Sequence, residues 1–181
     1  MSNNNNHQLG EAPWLHVVIS TGFGVGFWPW GPGTLGGFVA LLIWIALYFT
    51  LSPIWLAVAT MLLVLTTLLV GVWTDNVMER YWGEDPRTVI IDEYFGTWVA
   101  TLAALFVDSP SYVAISLATI GFVLFRIIDI TKPLGCRWVD RHIHGGWGCM
   151  LDDALAGFYA LCLTLIIRYA GLVESVHDLL S

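Results

Sequence analysis

The sequence predicts an all-α, polytopic membrane helix bundle of about five spans, with cytoplasmic loops forming the functional site. Three observations predict it. Hydrophobic residues make up 57% of the 181 positions and charged residues only 12%, with a mean hydropathy of +0.72, whereas soluble domains carry about a quarter charged residues. Apolar runs recur at 35–51, 54–73, 90–107, 112–128 and 151–170, each near the roughly 17–25 residues that cross a bilayer. Charge is expensive in a membrane, and here it gathers between Arg126 and Asp153 rather than being spread along the chain.

The chain opens on MSNNNNHQLGEAP, so residues 1–13 are expected to form a flexible polar tail. It has neither a basic start nor an apolar stretch, so no cleavable signal peptide is expected. Residues 14–181 then form a single integral membrane domain without internal repeats.

Before the first span lies TGFGVGFWPWGPGTLGG, residues 21–37. Free amides at a helix start, aided by the positive end of the dipole, suit a phosphate, which makes Gly33 and Thr34 candidates for substrate binding. Glycines in a tight turn are the plain alternative. Gly31, Gly33 and Gly36 match G-x-G-x-x-G, but no strand precedes them, so a dinucleotide site is rejected.

Ser52-Pro53 separates the first two spans and Asp108-Ser109-Pro110 the next two, because proline cannot donate to a helix. Every lysine and arginine except Arg168 lies within 80–87 or 126–141, on one face if there are five spans. The positive-inside rule makes that face cytoplasmic. Arg168 departs from the rule and keeps a four-span arrangement in play.

Asp92-Glu93 is expected to open the third span, and Asp152-Asp153 the fifth. Acids in first turns cap amides, yet capping needs one carboxylate rather than two neighbours. Asp129 stands near the end of the fourth span, where the helix dipole disfavours negative charge. It shares a helix face with Arg126, either as an intrahelical pair or as part of a polar site. Lys132, Arg137 and Arg141 suit positive-inside anchors as well as anion binding.

His144, before Gly145-Gly146, is placed to hold phosphate or to be a hydrogen-bonded loop residue. Cys136, Cys149 and Cys162 lack a Cys-x-x-Cys pair, and their spacing with His142 and His144 fits no common zinc site. Most of the ten tryptophans read as an interfacial belt. A net charge of -7 argues against nucleic acid as a partner.

GFGVGFWPWGPGTLGG, IDEYFGTW, FRIIDITKP, RWVDRHIHGG and LDDALAG together resemble the phosphatidylglycerophosphatase A family, in order and approximate spacing, over about 22–157. The resemblance implies a bacterial inner-membrane, Mg2+-dependent phosphatase that removes the terminal phosphate of phosphatidylglycerophosphate. Its acids correspond to Asp92, Glu93, Asp129, Asp140, Asp152 and Asp153, and its cations to Arg126, Lys132 and Arg141.

On chemical grounds we assign Asp92, Glu93, Asp152 and Asp153 to Mg2+, because carboxylate oxygens suit this hard cation. Arg126 and Lys132 are assigned to the phosphate, with Asp129 as base, further ligand or nucleophile. Gly33, Thr34, Arg141 and His144 complete the substrate-binding set. The alternatives are a phosphatase for another lipid phosphate, an ion-coupled carrier, and a non-catalytic assembly partner. A carrier would bear charges deeper and on both faces.

Overall fold

A computed structural model describes residues 11–83, 86–107, 111–133 and 135–180, without the side chains at 140, 141, 174, 177, 179 and 180. The Asp108-Ser109-Pro110 connection and most of the expected tail lie outside the described residues, as do the side chains of Asp140 and Arg141. The described chain is all-helical. In order it forms α1 (Trp14–Ser20), α2 (Pro32–Thr50), α3 (Pro53–Trp82), α4 (Ile91–Thr101), α5 (Ser111–Thr131), α6 (Cys136–His142), α7 (Gly145–Tyr169) and α8 (Leu172–Leu180). Short 3-10 turns stand at Val25–Phe27 and Leu102–Ala104.

Four helices, α2, α3, α5 and α7, are long and apolar enough to cross a membrane. The remaining expected span, the third at 90–107, is present but short. α4 has 11 residues, about 16 Å of helix against a hydrocarbon core of about 30 Å. It is the buried centre of the bundle, packed against α2, α3, α5 and α7. Small residues permit that position. A Cβ on Gly96 of α4 would lie 2.2 Å from the Phe125 ring of α5, and one on Gly157 of α7 would lie 2.8 Å from the Gly96 carbonyl oxygen.

A helix that ends inside an apolar bundle leaves carbonyls that must find donors. Arg168, near the end of α7, supplies donors to the turn that follows α4. Its Nη1 donates to the carbonyls of Ala103 and Leu105 at 2.9 and 2.8 Å, and its Nη2 to that of Phe106 at 2.8 Å. The basic residue that breaks the charge asymmetry is therefore a backbone cap, and the alternating helix directions keep about five passes of the chain.

Pro32 and Pro53 begin α2 and α3 at positions where no amide donor is needed. α3 continues well beyond the apolar run at 54–73 and stops at Gly83, whose φ of 86° suits glycine. That extra length carries Asp75 and Glu79. The core is tied by buried indoles: Trp44 Nε1 donates to Thr60 Oγ1 at 3.1 Å, and Trp98 Nε1 to the Ala40 carbonyl at 3.0 Å. Large apolar side chains such as Trp55, Leu62, Leu65 and Leu69 on α3 point outward, as a lipid-facing surface requires.

Candidate functional site

The starts of α2, α4 and α7 and the ends of α3 and α5 meet around one cleft of about 970 Å3. Three carboxylates form its floor. Asp129 of α5 and Asp152 and Asp153 of α7 each offer an oxygen within 4.8 Å of the others. Asp152 is 6% exposed and Asp153 4%. Like charges held this close and this dry repel strongly unless a cation or protons intervene. Asp153 Oδ2 is buried without a hydrogen-bond partner.

Two cations face these acids. Arg126 Nη1 donates to the Glu93 carboxylate and, at 2.9 Å, to Asp129 Oδ2, while its Nε is buried without a hydrogen bond. Lys132 Nζ lies 2.7 Å from Asp152 Oδ2. Lys132 sits at the end of α5 with φ 45°, a left-handed backbone that costs a non-glycine residue energy and often marks functional sites.

Asp92 and Glu93 do occupy the first turn of α4 as expected. Asp92 Oδ1 accepts from the Glu93 amide at 2.9 Å, and Oδ2 from Cys149 Sγ at 2.9 Å. Asp152 and Asp153 differ from expectation. α7 begins at Gly145, so these acids stand about two turns inside the helix and cap nothing. The helix starts early because its glycines dock on neighbours. Gly146 donates to Asn76 Oδ1 at 3.0 Å, and a Cβ there would lie 2.3 Å from the Val72 carbonyl oxygen of α3. The Gly145-Gly146 pair thus serves helix packing. His144 is exposed, lines the cleft and makes no side-chain cap.

Gly33 also lines the cleft, and a Cβ there would lie 1.9 Å from the Glu93 carboxylate as it stands, so a side chain at 33 would displace Glu93. Thr34 is exposed and does not line the cleft. Most other glycines of 21–37 pack tightly: Gly26 against the Thr88 carbonyl, Gly36 against Ile90 and Gly37 against Phe122 and Thr97.

Sequence reasoning missed Asp75, Glu79 and Arg87, all of which line the cleft. Asp75 is 6% exposed, and its signal was available: an acid directly after an apolar run, on a helix that had not ended. Cys136, on α6 outside the spans, is buried, and burial above all, then the nearby Asp152 charge, raises its thiol pKa. It is a neutral thiol rather than a nucleophile.

A membrane-spanning bundle with clustered carboxylates and cations at one end is the setting of a lipid-modifying enzyme rather than of a carrier, whose charges would line a path through the bilayer. The model of the phosphatidylglycerophosphatase A family matches residues 18–168, and the chain belongs to this family of phosphoric monoester hydrolases.

The chain is 44% identical over 161 residues to a Bacteroides thetaiotaomicron protein named "Putative phosphatidylinositol-3-phosphatase", covering 89% of this chain and 98% of the relative. It is 36% identical over 146 residues to phosphatidylglycerophosphatase A of Escherichia coli, covering 80% and 77%. The Haemophilus influenzae phosphatidylglycerophosphatase A is 29% identical over 169 residues, covering 91% and 96%. No solved structure matches the chain.

Proposed function

We propose that the protein hydrolyses the terminal phosphate of phosphatidylglycerophosphate, yielding phosphatidylglycerol and inorganic phosphate, with Mg2+ as cofactor. One observation carries the reading: Asp129, Asp152 and Asp153 converge within reach of Arg126 and Lys132 at one end of the bundle. The donor set fits the ion. All three are carboxylates, the ligand type that Mg2+ prefers, and Asp153 Oδ2 has no other partner.

Asp152 and Asp153 would hold the ion with Asp129 as the third ligand. When bound, it supplies Lewis-acid stabilisation of the phosphoryl oxygens and a more acidic water. Arg126 presents a planar fork to two phosphoryl oxygens, and Glu93 and Asp129 fix its orientation. Lys132 adds a second positive charge at the phosphate, guided by Asp152. Asp92 lines the same cleft and would serve as a further ligand. Water oxygen bonds to phosphorus as the bond to the lipid oxygen breaks, and that oxygen leaves protonated as the alcohol of phosphatidylglycerol.

The charge asymmetry supports a cleft on the cytoplasmic side of a bacterial inner membrane, since Arg80, Arg87, Arg126, Lys132 and Arg137 all lie toward that end. A second reading, hydrolysis of phosphatidylinositol 3-phosphate, is favoured by the name of the 44% identical relative.

The test is phosphate release by the purified protein in neutral detergent, with Mg2+ or with chelator, on each of the two lipids. Mg2+-dependent release with the higher kcat/KM on phosphatidylglycerophosphate is expected. A higher kcat/KM on the inositol lipid would replace the first reading by the second, and release unaffected by chelator would remove the metal.

A further inference from the structure

Arg87 lines the cleft together with Arg126 and Lys132 but differs from both. Those two are committed to carboxylates on the floor. Arg87 is exposed, and among the described residues its side chain makes neither an ion pair nor a hydrogen bond. Its backbone is nevertheless anchored. The Val89 amide donates to the Pro86 carbonyl and the Ile90 amide to the Ser20 carbonyl, both at 2.8 Å. Gly26 presses so near the intervening residue that a Cβ would lie 2.0 Å from the Thr88 oxygen. Among the described residues, a guanidinium without a partner is thus carried on an anchored stretch of backbone lining the cleft.

Beside it the cleft is bounded by Phe27 and Trp28, which are 57% and 49% exposed. Phe27 packs edge-on against Trp82 with centroids 6.3 Å apart. Exposed aromatics of this kind mark the level of lipid head groups. A phospholipid whose terminal phosphate monoester reaches the acid floor keeps its phosphodiester near that level, where it joins the head group to diacylglycerol. The floor cations are occupied with the monoester, so the diester requires another cation.

We propose that Arg87 binds the phosphodiester of the lipid substrate and thereby selects lipids that carry both a phosphodiester and a terminal monoester. This rests on the lipid phosphatase reading above. It holds equally for phosphatidylglycerophosphate and phosphatidylinositol 3-phosphate, which share that pair of phosphates. A merely anchoring arginine, attracted to anionic head groups in general, would not discriminate between substrates.

The experiment compares the full-length wild type with Arg87→Ala and Arg87→Lys in neutral detergent. Substrates are phosphatidylglycerophosphate, phosphatidylinositol 3-phosphate and phosphatidic acid, which has a monoester only. For whichever two-phosphate lipid the wild type cleaves, Arg87→Ala should raise KM about tenfold with kcat within about twofold, as expected for a binding contact made equally in ground and transition states. Arg87→Lys should recover part of the loss, and phosphatidic acid should be processed as by the wild type.

Inhibition separates the two phosphates without depending on phosphatidic acid turnover. Arg87→Ala should weaken inhibition by phosphatidylglycerol, which has the diester alone, and leave inhibition by inorganic phosphate unchanged. Unchanged KM and unchanged phosphatidylglycerol inhibition, or equal losses on all lipids, would overturn the proposal. A wild type that released no phosphate from any lipid would instead overturn the functional reading. Arg87 would then still be decided by phosphatidylglycerol binding to wild type and Arg87→Ala in neutral micelles, equal affinity counting against it.

Discussion

Arg126 and Arg168 are two arginines on long apolar helices, near opposite ends of the same bundle, with different kinds of partner. Arg168 gives its donors to the carbonyls of Ala103, Leu105 and Phe106, groups that are neutral and fixed by the backbone. Arg126 gives its donors to the side-chain carboxylates of Glu93 and Asp129, and its Nε has no hydrogen bond. At the first end the orphan groups of a short helix are satisfied, and the arrangement is complete for folding. At the second, the partners are charged side chains, Arg126 Nε is left unsatisfied, and two further carboxylates, Asp152 and Asp153, crowd against Asp129 at a cost to stability. The difference separates an arginine that serves the backbone from one that, on the proposed function, receives the substrate phosphate.

The strongest way to break this comparison is at Asp153. Asp153→Asn keeps shape and hydrogen-bonding size but removes the negative charge, so phosphate release should fall by about 10²–10⁴-fold. Thermal stability in detergent should stay level or rise, because a repelling charge has gone. Retained turnover would make the acid floor structural. Next, Arg126→Lys keeps the charge and loses the planar fork. A kcat loss of about 10²–10³-fold is expected with folding intact, and unchanged kcat would reduce Arg126 to the status of Arg168.

Arg168→Met should show the reverse pattern. The carbonyls of Ala103, Leu105 and Phe106 lose their charged donor, which costs about 3 kcal/mol, read as a lower unfolding midpoint, while kcat of the folded fraction stays within about twofold. A selective loss of kcat would couple the two ends. The smallest effect is expected at Cys136, whose thiol pKa is raised by burial and so stays neutral at neutral pH. Cys136→Ala should leave turnover within about twofold and the pH profile between 7 and 8 unchanged.

The bundle was legible because hydropathy is a local property, and α2, α3, α5 and α7 coincide with four of the apolar runs. The run at 90–107 carried no mark of its short helix, since Leu102–Ala104 is as apolar as a continuing span. The turn that follows α4 takes its donor from a residue 65 positions from Ala103 along the chain. The helical start at Gly145 was hidden for a related reason. Glycine disfavours helix by about 1 kcal/mol, and only close docking on Val72 and Asn76 reverses that preference.

By itself, then, the sequence determined that this is a membrane bundle of helices, that its acids and cations gather toward one end, and that Asp129, Asp152, Asp153, Arg126 and Lys132 belong to that end. Composition, periodicity and motif order are enough for such conclusions, because each depends on residues near one another in the chain. Tertiary structure alone decided that Asp129 joins Asp152 and Asp153, that Glu93 holds Arg126 from 33 positions away, and that Arg168 caps a buried helix end. Pairing depends on which helix faces meet, and helix faces meet according to small residues such as Gly96 and Gly157 whose effect is felt only when the partner helix is in place.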